Sequence, residues 1–197
     1  MHKQCKTERS VNRQKTLESV FLELLVKKDF EDITVSEICE IAKIPRKAFY
    51  RYFDCKEGIL NALIEHTLHN YPYFCERKES TVRTAVGEIE KFFIFWIEEP
   101  QKSLVKALAK QNMLANLLNY SLNFPTNVMD LDKFFPNETS WYRTQILSFA
   151  VTGLMTLMFR WHENGCKEST IEMARVACRM LEKPLFPNLE EAGFLSE

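Results

Sequence analysis

The chain has 197 residues, with 26 Lys/Arg against 27 Asp/Glu and a formal net charge of −1, which excludes a general polyanion binder. The length is enough to bury a proper core, and five glycines with few strand-like alternations point to an all-α protein rather than a sheet. No internal repeat or low-complexity stretch occurs.

The charge is unevenly placed. Residues 1–56 hold 12 Lys/Arg against 9 Asp/Glu, and residues 57–197 hold 14 against 18, so a basic N-terminal unit precedes an acidic body. The polar, basic arm His2–Arg9 has no apolar core of the signal-peptide kind, so a cytoplasmic protein is expected. The arm either touches DNA or stays disordered. Leu17, Val20, Phe21, Leu24 and Leu25 then recur at helical spacing as a first amphipathic helix.

Ile33–Leu60 carries most of the functional signal. Thr34 and Glu37 make a capping box, and Val35, Ile38, Ile41 and Ala42 form the inward face of a short helix. Pro45 starts a second helix, because proline is well tolerated only in the first helical turn. On that helix Phe49 and Phe53 point inward, leaving Arg46, Lys47, Tyr50 and Arg51 on the other side. Asp54 with Glu57 predicts the next helix start, followed by Ile59, Leu60, Leu63, Ile64 and Leu68 at helical spacing. A short exposed helix with cations and phenols at its tip suits the DNA major groove. Arg46 and Lys47 are the expected base-edge contacts, and Thr34 and Ser36 can bind phosphate through hydroxyl and backbone groups.

Ile33-Thr34, the aromatic run Phe49-Tyr50-Arg51-Tyr52-Phe53, and Lys56-Glu57-Gly58-Ile59-Leu60 together resemble the TetR family of transcriptional regulators over about residues 10–65. The resemblance implies a three-helix DNA-binding domain at 1–55, then a helical ligand-binding and dimerisation domain at 56–197 whose residues 56–72 form a linking helix. It implies that Ala48 and Arg51 share the groove-facing surface, that Tyr50 and Tyr52 bind phosphates through their phenols, and that Lys56 binds phosphate at the next helix start. Three positions depart from the family. Lys43 stands where a glycine usually adopts positive φ, at a cost of about 1 kcal/mol. Cys39 replaces a small alanine, and Pro45 replaces a Ser/Thr cap.

Farther along, prolines divide the chain. Pro72 is expected to end or kink the linking helix. Val82, Ala85, Val86, Ile89, Phe92, Phe93, Trp96 and Ile97 form an apolar stripe ending before Pro100, and Ser103–Leu122 reads as one further segment running to Pro125. Asn127–Phe135 is a short piece between Pro125 and Pro136. Glu138–Asn164 is the longest predicted helix, stopped by Gly165, and the Ser169–Glu172 capping box opens a last helix to about Glu182, before Pro184. The uncharged run Thr144–Phe159 falls short of the roughly 20 apolar residues a membrane span needs. Gly153, Trp161 and Gly165 resemble the Gly-x(7)-Trp-x(3)-Gly pattern of one subgroup of the family.

Ala150, Gly153 and Leu157 lie on one face of the long helix, and Ile171, Ala174, Cys178 and Leu181 offer a matching stripe. The resemblance implies a homodimer through these helices; the alternative is that both stripes face their own core. Twofold symmetry would set two recognition helices roughly 34–36 Å apart, or a multiple, on palindromic double-stranded DNA. Relatives bind a small molecule in the C-terminal domain. The raw material here is Phe92, Phe95, Trp96, Met113, Leu117, Tyr120, Trp141 and Phe149, with His162 as a polar anchor, and such walls favour a hydrophobic effector. Each of these aromatics can equally be plain core.

The six cysteines, at 5, 39, 55, 75, 166 and 178, show no Cys-x-x-Cys pair and no histidine at zinc-finger spacing, so no metal or cofactor is expected. Cys55, beside Lys56 at a helix start, is the better placed of the two exposed candidates, Cys5 and Cys55, for redox sensing. No phosphate loop, Gly-x-Ser-x-Gly or His-Glu-x-x-His motif suggests an enzyme. The expectation is a dimeric repressor; an activator of the same fold and a helical protein-interaction module are the alternatives.

Overall fold

The computed structural model describes residues 7–79, 84–122 and 137–182. Helix α1 spans Glu8–Lys27, opened by Thr7, whose hydroxyl accepts the Ser10 amide. A single 3-10 turn, Phe30–Asp32, leads to α2 (Val35–Ile41), α3 (Arg46–Phe49) and α4 (Lys56–Arg77). The body contains α5 (Ala85–Ile97), α6 (Gln101–Lys110), α7 (Leu114–Leu122), α8 (Ser140–Glu163) and α9 (Thr170–Glu182). No β-strand occurs among the described residues, as the all-α reading requires.

The head closes around Leu17, Phe21, Leu25, Ile38, Phe49, Phe53 and Ile59, all buried. These residues recur three or four apart on their helices, so the sequence periodicity translates directly into one shared core. Ile41 is the exception: it is 49% exposed, and Ile44, three residues past the end of α2, is buried instead. The turn between them accounts for the exchange. Lys43 takes φ +53, and the Ile44 amide donates back to the Cys39 carbonyl, which tucks Ile44 under the helix. Lys43 thus adopts the positive φ expected of this position without being glycine.

Three boundaries differ from expectation. Helix α4 passes through Pro72 and continues to Arg77. A proline within a helix costs about 3 kcal/mol, yet Tyr71 and Phe74 on its flanks both pack edge-on against Phe95, at 5.2 and 5.3 Å, and fix the last turns by tertiary contact. Ser103–Leu122 is two helices, broken where Asn112 takes φ +56. The cap of α4 falls on Cys55, whose side chain makes no capping bond; its thiol donates instead to the Glu57 carboxylate, holding that acid below its ordinary range. Val82, Asn127–Phe135, Pro125, Pro136, Pro184, Cys5 and the first residues of the basic arm lie outside the described residues.

In the body, α9 packs along α5, and Trp161 of α8 meets Phe93 of α5 edge-on at 5.7 Å. The Trp161 indole donates to the Glu168 carbonyl at 3.0 Å and so fastens the α8–α9 connection. That connection is a Schellman motif. Gly165 (φ +81) donates to the His162 carbonyl, and Cys166 donates to that of Trp161. The Ser169–Glu172 capping box forms reciprocally, with bonds of 2.8 and 3.4 Å.

Candidate functional site

The outer surface of the turn and α3 is cationic, whereas α2 exposes Ser36, Glu40 and Ile41 and carries no Lys or Arg. Thr34 caps α2 by accepting the Glu37 amide at 3.2 Å, and both Thr34 and Ser36 are exposed at that N-terminus. Lys43 is exposed on the turn, Arg46 and Lys47 on α3, and Arg51 two residues past its end, since the helix expected to carry Phe53 stops at Phe49. The Arg46 guanidinium reaches the Tyr50 hydroxyl at 3.4 Å, one turn on, and the Tyr50 ring rests edge-on against Phe49 at 5.5 Å. Phe49 is fully buried, so the aromatic anchor holds the charged face outward. Pro45 meets its role with φ −60 and ψ 141, the extended geometry that precedes a helical turn.

Three residues expected at the DNA surface take other positions. Ala48 is 8% exposed and Tyr52 6% exposed, so both belong to the head core. Each sits on the same side of the segment as Phe49 and Phe53, and a short helix packed through that side cannot present them to a groove. Lys56 is engaged within the chain. Its ammonium donates to the Phe30 carbonyl at 2.8 Å and the Glu31 carbonyl at 3.1 Å, and lies 4.4 Å from the centre of the Phe30 ring.

Sequence reasoning missed the ties that set this head on the body. The Gln111 carboxamide, at the end of α6, accepts the Phe30 amide and donates to the Leu25 and Lys28 carbonyls at 3.0 and 3.3 Å. One body side chain therefore caps the C-terminus of α1 and the 3-10 turn together. Lys28 pairs with Glu37 on α2. On α1 the buried Glu18 receives a 3.0 Å bond from the half-exposed His66 of α4, which raises the histidine above its ordinary value. Partners more than 80 residues apart leave no local pattern to read.

The expected ligand residues divide. Phe95, Trp96 and Leu117 are buried, while Phe92, Met113 and Tyr120 are partly buried and pack against the same core. Trp141 and Phe149 are 70% and 65% exposed and line no interior wall. His162 is buried against Trp161, with ring centres 5.8 Å apart. Desolvation holds it down to about 4, helped by Lys102 and Lys106; a hydrogen bond with the Trp96 backbone opposes this.

The expected pairing stripes also divide. On α8, Gly153 is exposed with open space where a Cβ would stand, while Ala150 and Leu157 are half-buried. On α9, Ala174 and Cys178 face their own core against α5, a correction to the expected stripe, and Ile171 is half-buried. The exposed apolar side chains of α9 are Val176, Met180 and Leu181. No disulfide joins the five described cysteines, and no described helix is long and apolar enough to cross a membrane.

Residues 21–63 match the family described as bacterial regulatory proteins, tetR family, and this bears out the resemblance in the head. A curated relative, the HTH-type dhaKLM operon transcriptional activator DhaS of Lactococcus lactis subsp. lactis (strain IL1403), is 34% identical over 59 residues. That match covers 30% of this chain and spans about a third (32%) of the relative. The fold is similar to the fatty acid degradation regulator FadR from Bacillus halodurans, with a TM-score of 0.61 at 12% identity, covering 92% of this chain and 98% of that one. It is also similar to FadR from Bacillus subtilis in complex with stearoyl-CoA, with a TM-score of 0.56 at 16% identity and coverage of 85% and 96%.

Proposed function

We propose that this protein is a homodimeric transcriptional regulator of the TetR kind that binds palindromic double-stranded DNA and represses by occupying its operator. A small hydrophobic effector in the helical body sets its operator affinity. The observation that carries the reading is the exposed cationic face of the turn and α3, built on the buried Phe49 and Phe53. Arg46 and Lys47 read base edges, Arg51 and Tyr50 flank them, and Thr34 and Ser36 hold phosphate at the start of α2. Ile41, apolar and exposed beside the turn, suits a thymine methyl group. Lys43 adds a phosphate contact that sequence reasoning had treated only as a departure from glycine.

A dimer is supported by Gly153, since neither its own backbone nor its own chain needs the missing side chain. The exposed Trp141, Phe149, Val176, Met180 and Leu181 supply apolar surface for the same partner. An effector is supported by the aromatic body and by the stearoyl-CoA complex of the Bacillus subtilis relative. Effector binding would shift the balance between DNA-competent and incompetent dimers only as far as its affinities for the two differ. Activation is the second reading, favoured by the 34% match to the activator DhaS.

The test is fluorescence anisotropy on DNA from upstream of the protein's own gene, against scrambled DNA, over a salt series. Selective binding that weakens steeply with salt supports the reading, because phosphate contacts release counterions. Arg46→Ala should cost roughly 1–3 kcal/mol and relax preference at one operator position. A protein-interaction module predicts no selective DNA binding on any operator recovered by genome-wide selection, and indifference to Arg46→Ala. In vitro transcription with the bound operator then separates repression from activation.

A further inference from the structure

The recognition unit, α2, the turn and α3, is bounded by the 3-10 turn Phe30–Asp32 before it and by Lys56, the first residue of α4, after it. Lys56 ties these two ends together. Its ammonium donates to the Phe30 and Glu31 carbonyls at 2.8 and 3.1 Å, and the Glu31 carboxylate lies 3.4 Å away. An ammonium has three N–H donors, so these three acceptors within the chain use them all. The Lys56 side chain is 18% exposed, and the Phe30 ring under its ammonium rests edge-on against Phe21 at 6.2 Å. The body reaches the same residue from another side. Gln111, the C-cap of α6, accepts the Phe30 amide and donates to the Leu25 and Lys28 carbonyls. Lys28 carries this hold onward, because its ammonium pairs with Glu37 of α2. The N–H of Phe30 is thus held from α6 and its C=O from α4, by side chains 81 and 26 residues away.

We propose that Lys56 and Gln111 are positioning residues for operator binding: together they fix the base of the recognition unit, and Lys56 does so instead of contacting phosphate. This rests on the reading of the head as an operator-binding unit and says how its contact surface is aimed. The unit is small. Helices α2 and α3 have seven and four residues, and elements this short hold their place through tertiary contact rather than helical strength. Arg46 and Lys47 meet base edges only if α3 enters the groove at one pitch. Bonds to the backbone at the base of the unit set that pitch before DNA arrives, so less ordering is left for binding to supply. Lysine suits the α4 side of this hold. Its compact ammonium on a flexible stem serves two successive carbonyls at once, and a phosphate contact would require it to leave them.

The experiment measures operator affinity by fluorescence anisotropy for the full chain, Lys56→Met and Gln111→Met. It covers a salt series at a temperature where circular dichroism shows each protein folded. Each variant should weaken operator binding roughly tenfold or more, with base preference and salt slope unchanged. The double variant should lose less than the product of the two factors, because both side chains hold one residue. A phosphate contact by Lys56 would instead flatten the log–log salt slope by about 0.9 in Lys56→Met. The wild-type chain supplies a second test that needs no variant to fold. In 15N-lysine-labelled protein the Lys56 ammonium resonance should stay in place on adding operator, while that of Lys47 shifts. With wild-type selectivity intact, any of four results overturns the assignment: a flattened slope in Lys56→Met, a shifted Lys56 resonance, losses that multiply in full, or unchanged affinity in either variant. A wild-type chain that selects no operator overturns the regulator reading, and the positioning role falls with it.

Discussion

Gln111 offers the sharpest test of how the head is held. Its carboxamide makes three bonds to the backbone at the end of α1, and nothing else accepts the Phe30 amide. Gln111→Met keeps the length and apolar stem of the side chain but removes all three bonds. An unpaired buried amide costs about 1–3 kcal/mol and each lost carbonyl bond about 0.5–1.5 kcal/mol, less where water can replace it. Gln111 is half-buried, so water recovers part of this. The net expectation is about 2–4 kcal/mol, a large share of the roughly 5–15 kcal/mol that holds a domain. Urea unfolding followed by circular dichroism should show a lower midpoint at constant slope. Hydrogen exchange should show the Phe30 amide losing protection while amides in α5 keep theirs. A midpoint shift worth under about 0.5 kcal/mol, with Phe30 still protected, would refute the reasoning.

Lys43→Gly should stabilise the head by about 1 kcal/mol, since φ +53 is strained for lysine, and should flatten the salt dependence of DNA binding by roughly one phosphate contact. Two histidines set opposite pH trends. His66 is raised above 6.5 by Glu18, so its pairing stabilises fully below about pH 6.5 and fades as pH rises through its folded value; His66→Gln should remove that alkaline decline. His162 is held at about 4, so the folded chain refuses a proton that the unfolded chain accepts below 6.5. Stability then falls by no more than about 3 kcal/mol on acidification between those values, and His162→Phe should flatten this limb of the urea-midpoint profile. Gly153→Leu meets open space in its own chain, so the monomer's helicity should hold while sedimentation velocity shows the dimer lost. A stable dimer of that variant would place the pairing surface elsewhere.

The all-α class, the three-helix head and the starts of α2, α3 and α9 were legible in the sequence, because each rests on contacts within one or two turns. Capping at Thr34 and Ser169 joins residues three apart, and the inward faces of α1 and α4 repeat every three or four. The exposed cations of α3 were legible for the same reason: the buried Phe49 settles which way that helix turns. Periodicity could not say how deep each residue sits. Tyr52 and Ala48 were assigned to the DNA surface, and Trp141 and Phe149 to an interior, yet neighbouring helices decide otherwise. Nor could it see α4 continuing through Pro72 with Tyr71 and Phe74 packed on Phe95, or Ala174 and Cys178 buried in their own core. The Gln111 clamp, the Glu18–His66 pair and the burial of His162 beside Trp96 and Trp161 belong wholly to the tertiary structure. The first two join groups 40 to 90 residues apart in the chain, and only packing brings such groups to one place.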